Sequence, residues 1–301
     1  MIALSTRLEH RLRELGSNVW ADTSVVERIR GDAEKGRVTE AEALKRLADY
    51  ELRLTLKVRT ELTEPLSSRR QSELWQGSEL RAFISHRDTH RGPAQALATA
   101  LGRYQISCFV AHESIEATEE WRRATRDGLE TMHAMVAFVT DDFHLSPWTM
   151  QEVGYALGKR IPCISVMVET SKPPGFLEPD QSLRGNLENP TDYAAILASH
   201  LADTSGRRSR IQQALISAFR DSRTAQQARD RFTFLRDFVE RLDEGEINNL
   251  LEAINGEDVL RNAFLQRDKD VRKVIAFLME NSDQPFELVG SNLTSPRAAT
   301  R

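Results

Sequence analysis

The stretch AMVAFVTDDFHLSPWTMQE, residues 134–152, holds a strand-like run (Met135 to Thr140), a short polar connection and then a helix signal. Ser146 is a favoured N-cap and Pro147 a favoured first helical residue. A helix is therefore expected to begin there, with Trp148 and Glu152 on one face at i and i+4. A strand running into a helix in this way is half of a βα unit, and open α/β sheets bind ligands beyond the carboxyl ends of their strands. An indole beside a carboxylate at that edge makes a small chemical site.

The same period extends to both sides. RAFIS (81–85) precedes a helical segment from Pro93 to Tyr104, ISCFV (106–110) precedes one from Glu119 to Met132, and IPCISVMV (161–168) follows the helix that starts after Ser146. Strands so continuously apolar imply a parallel sheet with helices on both faces, a flavodoxin-like three-layer α/β fold. After Val168 the segment ETSKPPGFLEPDQSLRGNLENPT reads as loop, ahead of an amphipathic helix from Asp192 to Leu201.

Beyond this block the pattern becomes helical. Residues 1–78 form an expected N-terminal helical region, broken near Gly16 to Asn18 and Gly31 to Gly36, with Pro65 to Ser78 as its connection to the α/β domain at 79–205. Residues 206–284 carry three apolar-striped segments, FTFLRDFVERL, EINNLLEAI and VRKVIAFLM, and form a C-terminal helical region. Residues 285–301 have little to bury and are expected to be a disordered tail.

Lys plus Arg is 41 against Asp plus Glu 45, so a net charge of -4 gives no general attraction to nucleic acid or anionic membrane. The acidity is concentrated: 11 basic and 17 acidic residues lie between Glu79 and Ser205. The two cysteines, Cys108 and Cys163, sit in β-like runs and are expected to be buried reduced thiols, with no disulfide framework. The N-terminus lacks a signal-peptide core and no window approaches a membrane span, so a cytoplasmic protein is expected. His86, His90 and His112 lack the spacing of a zinc site, so no metal is expected. FISHRDTHRG has a single glycine where a dinucleotide-binding fingerprint needs three, so NAD is not expected as a Rossmann-bound cofactor.

The residues from about Leu80 to Leu201 resemble a Toll/interleukin receptor (TIR) domain of the bacterial kind. The likeness rests on FISHR (83–87), ISCFV with its following loop, the helix containing Trp121, and SPWTMQE followed by IPCISV. It implies a TIR-like fold and cleavage of NAD+ at the nicotinamide-ribose bond, with Glu152 as the catalytic glutamate. It also implies that Trp148 lines the nicotinamide or ribose site, that Arg87 and Ser85 contact the substrate, and that Phe109 takes the place of an aromatic on the second strand. NAD+ enters as substrate, and no cofactor is implied.

The loop AHESIEATEEW (111–121) departs from the family, with Ala117 and Thr118 where a glycine is usual. Its acids Glu113, Glu116, Glu119 and Glu120 are either a solvated face or a surface for Arg122, Arg123 and Arg126 of a second copy. Self-association through the domain and its helical flanks is expected.

The chemistry needs no second acid. Nicotinamide already carries a pyridinium charge, so it leaves as a neutral base while positive charge develops on the ribose. One well-placed carboxylate can stabilise that charge or hold a ribose hydroxyl. Three functions stay open: an NAD+ glycohydrolase or cyclase in bacterial defence or cell death, a non-catalytic TIR interaction module, and a nucleoside deoxyribosyltransferase-like enzyme.

Overall fold

Alternation along the strands sets which side chains meet which layer. In β1 (Leu80–Ser85), Leu80, Ala82 and Ile84 enter one buried cluster and Phe83 enters another. β3 (Ala134–Val139) divides the same way, with Ala134, Val136 and Phe138 opposed to Met135, Ala137 and Val139. Strands buried on both faces require cover on both faces. The computed structural model pairs β1 and β3 in parallel and completes the sheet with β2 (Ile106–Val110), β4 (Cys163–Met167) and β5 (Ser182–Arg184). The order is β2-β1-β3-β4-β5, the flavodoxin-like order, and the chain reverses its direction of winding between β1 and β3.

The structure describes residues 3–16, 21–63, 68–76, 78–110, 119–168, 175, 177 and 182–295. The loop at 111–118, on which the association surface was expected, lies outside them.

One face of the sheet is covered by α5 (Arg91–Gly102) and α8 (Ala194–Thr204), through Leu97, Leu101, Leu197 and Leu201. The other carries α4 (Ser68–Trp75), α6 (Glu119–Thr131) and α7 (Pro147–Gly158), through Trp75, Leu129, Val153 and Ala156. β5 lies in the segment expected to be loop, since it spans only three residues with one apolar side chain. Its neighbour Gly185 has a stricter requirement: a Cβ there would come within 2.5 Å of Val166 and 3.1 Å of the Tyr193 ring.

The chain divides by packing into residues 1–67 and 68–301. In the first unit, α1 (Thr6–Gly16), α2 (Thr23–Glu34) and α3 (Glu40–Thr63) enclose their own core of Leu8, Leu12, Val26, Ile29 and Leu47. Asp22 caps α2 by accepting from the Ser24 N–H, and Gly36 supplies the positive φ (67°) after it.

Three expected boundaries move. The connection at 65–78 contains α4, a polar helix that belongs with the sheet because Trp75 is buried against it and donates through Nε1 to Thr131 Oγ1 at 2.7 Å. The C-terminal helices α9 (Arg208–Arg220), α10 (Ala225–Phe238), α11 (Glu244–Gly256), α12 (Asp258–Phe264) and α13 (Asp268–Glu280) share one continuous core with β1, β3 and α8, so 206–284 is not a separate region. Residues 287–294 form an antiparallel hairpin, β6 (Glu287–Val289) and β7 (Asn292–Thr294), where a disordered tail was expected. Leu293 is buried, and the Asn255 side chain pairs with both of its backbone groups, donating to the carbonyl and accepting from the N–H at 2.8 Å each.

Candidate functional site

The start of α7 is locked locally. Ser146 Oγ accepts from the Trp148 and Thr149 N–H groups at 3.2 and 3.3 Å, Pro147 opens the helix, and Thr149 Oγ1 donates to the Phe143 carbonyl at 2.6 Å. The helix therefore leaves the β3 edge in one fixed direction, as Ser146 and Pro147 predict. One turn further on, Glu152 lies on the inward side with Val153 and Ala156 and is only 4% exposed.

A buried carboxylate needs a donor. Ser85, the last residue of β1, supplies one: its hydroxyl donates to Glu152 Oε2 at 2.5 Å, within the short range of O–H to carboxylate hydrogen bonds. β1 and β3 are adjacent and wind away in opposite directions, so this pair stands at the crevice where open α/β sheets receive ligands.

Two further contacts frame it. Trp148 is half-buried and meets Trp121 of α6 edge to face, ring centroids 5.1 Å apart at 85°. Arg87, two residues past β1, donates from Nε to Asp142 Oδ2 at 3.2 Å, and Asp142 Oδ1 accepts from Thr140 Oγ1 at 2.7 Å. The loop after β1 is thus tied to the loop after β3 across the crevice. The Thr140 hydroxyl, and then the Arg87 guanidinium, hold the Asp142 carboxyl below the usual range.

Of the residues expected at the site, the structure joins Ser85 to Glu152, and places Trp148 on the same short helix one turn earlier. The Ser85 hydroxyl donates its hydrogen bond to the glutamate. Phe109 is committed elsewhere: its ring stacks on Phe83 at 5.2 Å and 28° and meets the edge of Trp75. A Cβ on Gly128 would come within 3.2 Å of both phenyl rings, so that glycine lets α6 close over them. Asp142 and Thr140 are not among the residues expected at the site, although the polar TDD directly after β3 falls at the edge where open α/β sheets bind ligands. Burial pushes the Cys108 and Cys163 thiols up to about 12, which keeps both protonated and unreactive. Among the described residues no three His, Cys, Asp or Glu side chains are grouped as a metal would require. No described helix is long and apolar enough to cross a membrane.

The arrangement is a doubly wound parallel α/β sheet with a serine-held glutamate at its switch point. The family model for the TIR domain matches residues 82–223, and the chain contains a TIR domain over that span. The match runs from β1 through α9, past the limit at 205 drawn from sequence, in keeping with the shared core. No curated protein and no solved structure gave a significant match.

Proposed function

We propose that the TIR domain cleaves NAD+ at the nicotinamide-ribose bond, with Glu152 as the catalytic carboxylate. The observation that carries this reading is the Ser85 to Glu152 hydrogen bond at the switch point, which fixes one buried acid at the edge where open α/β sheets bind ligands. A carboxylate kept from water acts strongly on positive charge developing beside it. As the bond from the ribose carbon to the pyridinium nitrogen breaks, its electron pair neutralises the ring and the ribose becomes cation-like. Water then adds to that carbon and releases one proton, giving ADP-ribose and nicotinamide, or an adenine nitrogen adds in its place and closes a ring.

Within this reading Trp148, stiffened by Trp121, offers an aromatic wall to nicotinamide or ribose. Arg87 contributes a guanidinium on the first loop, held by Asp142, suited to an anionic part of the substrate. NAD+ is substrate, and no resident cofactor is invoked. Self-association through the TIR domain would give the activity an on-switch, as a defence or cell-death effector needs.

Incubation of the protein with NAD+ and chromatography of the products tests the proposal. Nicotinamide release is expected, with a fall of at least about a hundredfold in Glu152→Gln. Full activity in that variant would sink the role given to Glu152. No release in any oligomeric state would leave the domain as an interaction module, and base exchange on deoxynucleosides would point to a transferase.

A further inference from the structure

The opposite edge of the sheet, at the amino ends of β1 and β3, holds a cluster that the proposed reaction does not use. His133, just before β3, accepts the Arg81 backbone N–H at Nδ1 over 3.2 Å, and its own N–H donates to the Arg81 carbonyl at 2.8 Å. With Nδ1 accepting, the ring proton of a neutral imidazole belongs on Nε2. Nε2 lies 2.6 Å from Nη2 of Arg81, which is itself only a donor. In the tautomer that leaves Nδ1 accepting, two N–H groups therefore point at each other, and among the described residues Arg81 Nε is buried without a hydrogen-bond partner.

The surroundings add positive charge. Arg207, between α8 and α9, donates to the Glu79 carbonyl at 3.1 Å, and Arg210 lies 3.7 Å from the Glu79 carboxylate. Desolvation first, and then the charges of Arg81, Arg207 and Arg210, press the His133 ring down to about 3, so it is neutral near pH 7. Desolvation and Arg207 also lower Arg81. Among the described residues, three guanidiniums gather around His133 and one carboxylate, Glu79, stands beside Arg207 and Arg210, a local excess of two positive charges.

A group that would satisfy this cluster brings several acceptor oxygens, no donors and about two negative charges. We infer that the edge formed by Arg81, His133, Arg207 and Arg210 binds a dianionic phosphoryl group, free or carried as a phosphomonoester. Arginine forks match phosphate oxygens in pairs, and turning the Arg81 guanidinium away from the ring would let one phosphate oxygen accept from both Arg81 Nη2 and His133 Nε2, relieving the opposed donors. The site is separate from Glu152, since it lies at the other end of the strands.

The test is a titration of the full chain, labelled on its 7 histidines, with inorganic phosphate at fixed ionic strength, followed by the ring resonances. His133 is expected to shift saturably and to protonate at higher pH when phosphate is bound. Arg81→Gln should abolish the effect, Arg210→Gln should weaken it at least fivefold, and Glu152→Gln should leave it unchanged. Arg210 is largely exposed, so its variant carries the test even where Arg81→Gln does not fold. Adenosine monophosphate in a second titration separates the sources: tighter binding than phosphate, lost in the same variants, identifies a nucleotide, and equal or weaker binding identifies free phosphate. A His133 resonance indifferent to phosphate, or a response that survives Arg210→Gln undiminished, overturns the inference.

Discussion

At the scale of single residues, the Ser85 hydroxyl separates positioning from chemistry. It holds Glu152 Oε2 and sits fully buried at the end of β1, so its removal leaves the carboxylate in place but less fixed. Ser85→Ala is expected to lower kcat for nicotinamide release about tenfold with KM little changed, which steady-state kinetics would show. A pure rise in KM would mean instead that the serine contacts substrate. His133 supports a prediction on stability. Its folded-state value of about 3 lies below the ordinary 6.5, so the unfolded chain takes up a proton first as pH falls. The stability given by the neutral ring is complete above about pH 6.5 and is lost progressively toward pH 3; with water screening the half-buried ring, about 1 kcal/mol is gone by pH 5. Denaturant unfolding at pH 7 and pH 5 in phosphate-free buffer should show that difference narrowing in His133→Gln. An unchanged pH dependence would mean that the ring is no less basic in the folded protein.

At the scale of elements, α4 shows how a polar segment becomes structural through one side chain. Trp75 fills the space beside Phe109, and its Nε1 donates to Thr131 of α6, while Arg70 pairs with the buried Asp127 one turn earlier on the same helix. Trp75→Ala removes a fully buried indole and should destabilise by about 3–5 kcal/mol in denaturant melts. Trp75→Phe keeps much of the volume and should cost well under half of that. Equal losses would place the stabilisation in the hydrogen bond rather than the packing. α4 was not legible in the sequence because SRRQSELW has only two apolar residues, too few to set a helical period. The core strands were legible for the converse reason: burial on both faces writes an unbroken apolar run, as in AMVAFV. The start of α7 was legible because Ser146 and Pro147 act locally, needing no partner from elsewhere in the chain. Ser85 supporting Glu152 across 67 positions, and Arg87 reaching Asp142, depend on strand order, which no local pattern encodes.

At the scale of the whole molecule, the distribution of core residues argues against excising the TIR domain at residue 205. Ile211, Leu215 and Phe219 of α9 are buried in the same cluster as Leu197 and Leu201 of α8. α10 reaches the domain directly, since Phe234 meets the edge of Tyr104 at 5.4 Å and lies under the Arg103 guanidinium at 5.8 Å. Removal of residues 206–301 would expose the outer face of α8, where each large apolar side chain contributes about 1.5–3 kcal/mol when buried. Several such losses exceed the few kcal/mol by which a domain is ordinarily stable. A chain of residues 1–205 is therefore expected to aggregate or to show no cooperative unfolding of its sheet. Residues 68–301 keep the clusters on both faces of the sheet covered, and a chain of those residues should unfold in a single transition by calorimetry. A cooperative melt of the sheet in 1–205 would show that the C-terminal helices are an attachment, and the shared cluster a contact of little energetic weight.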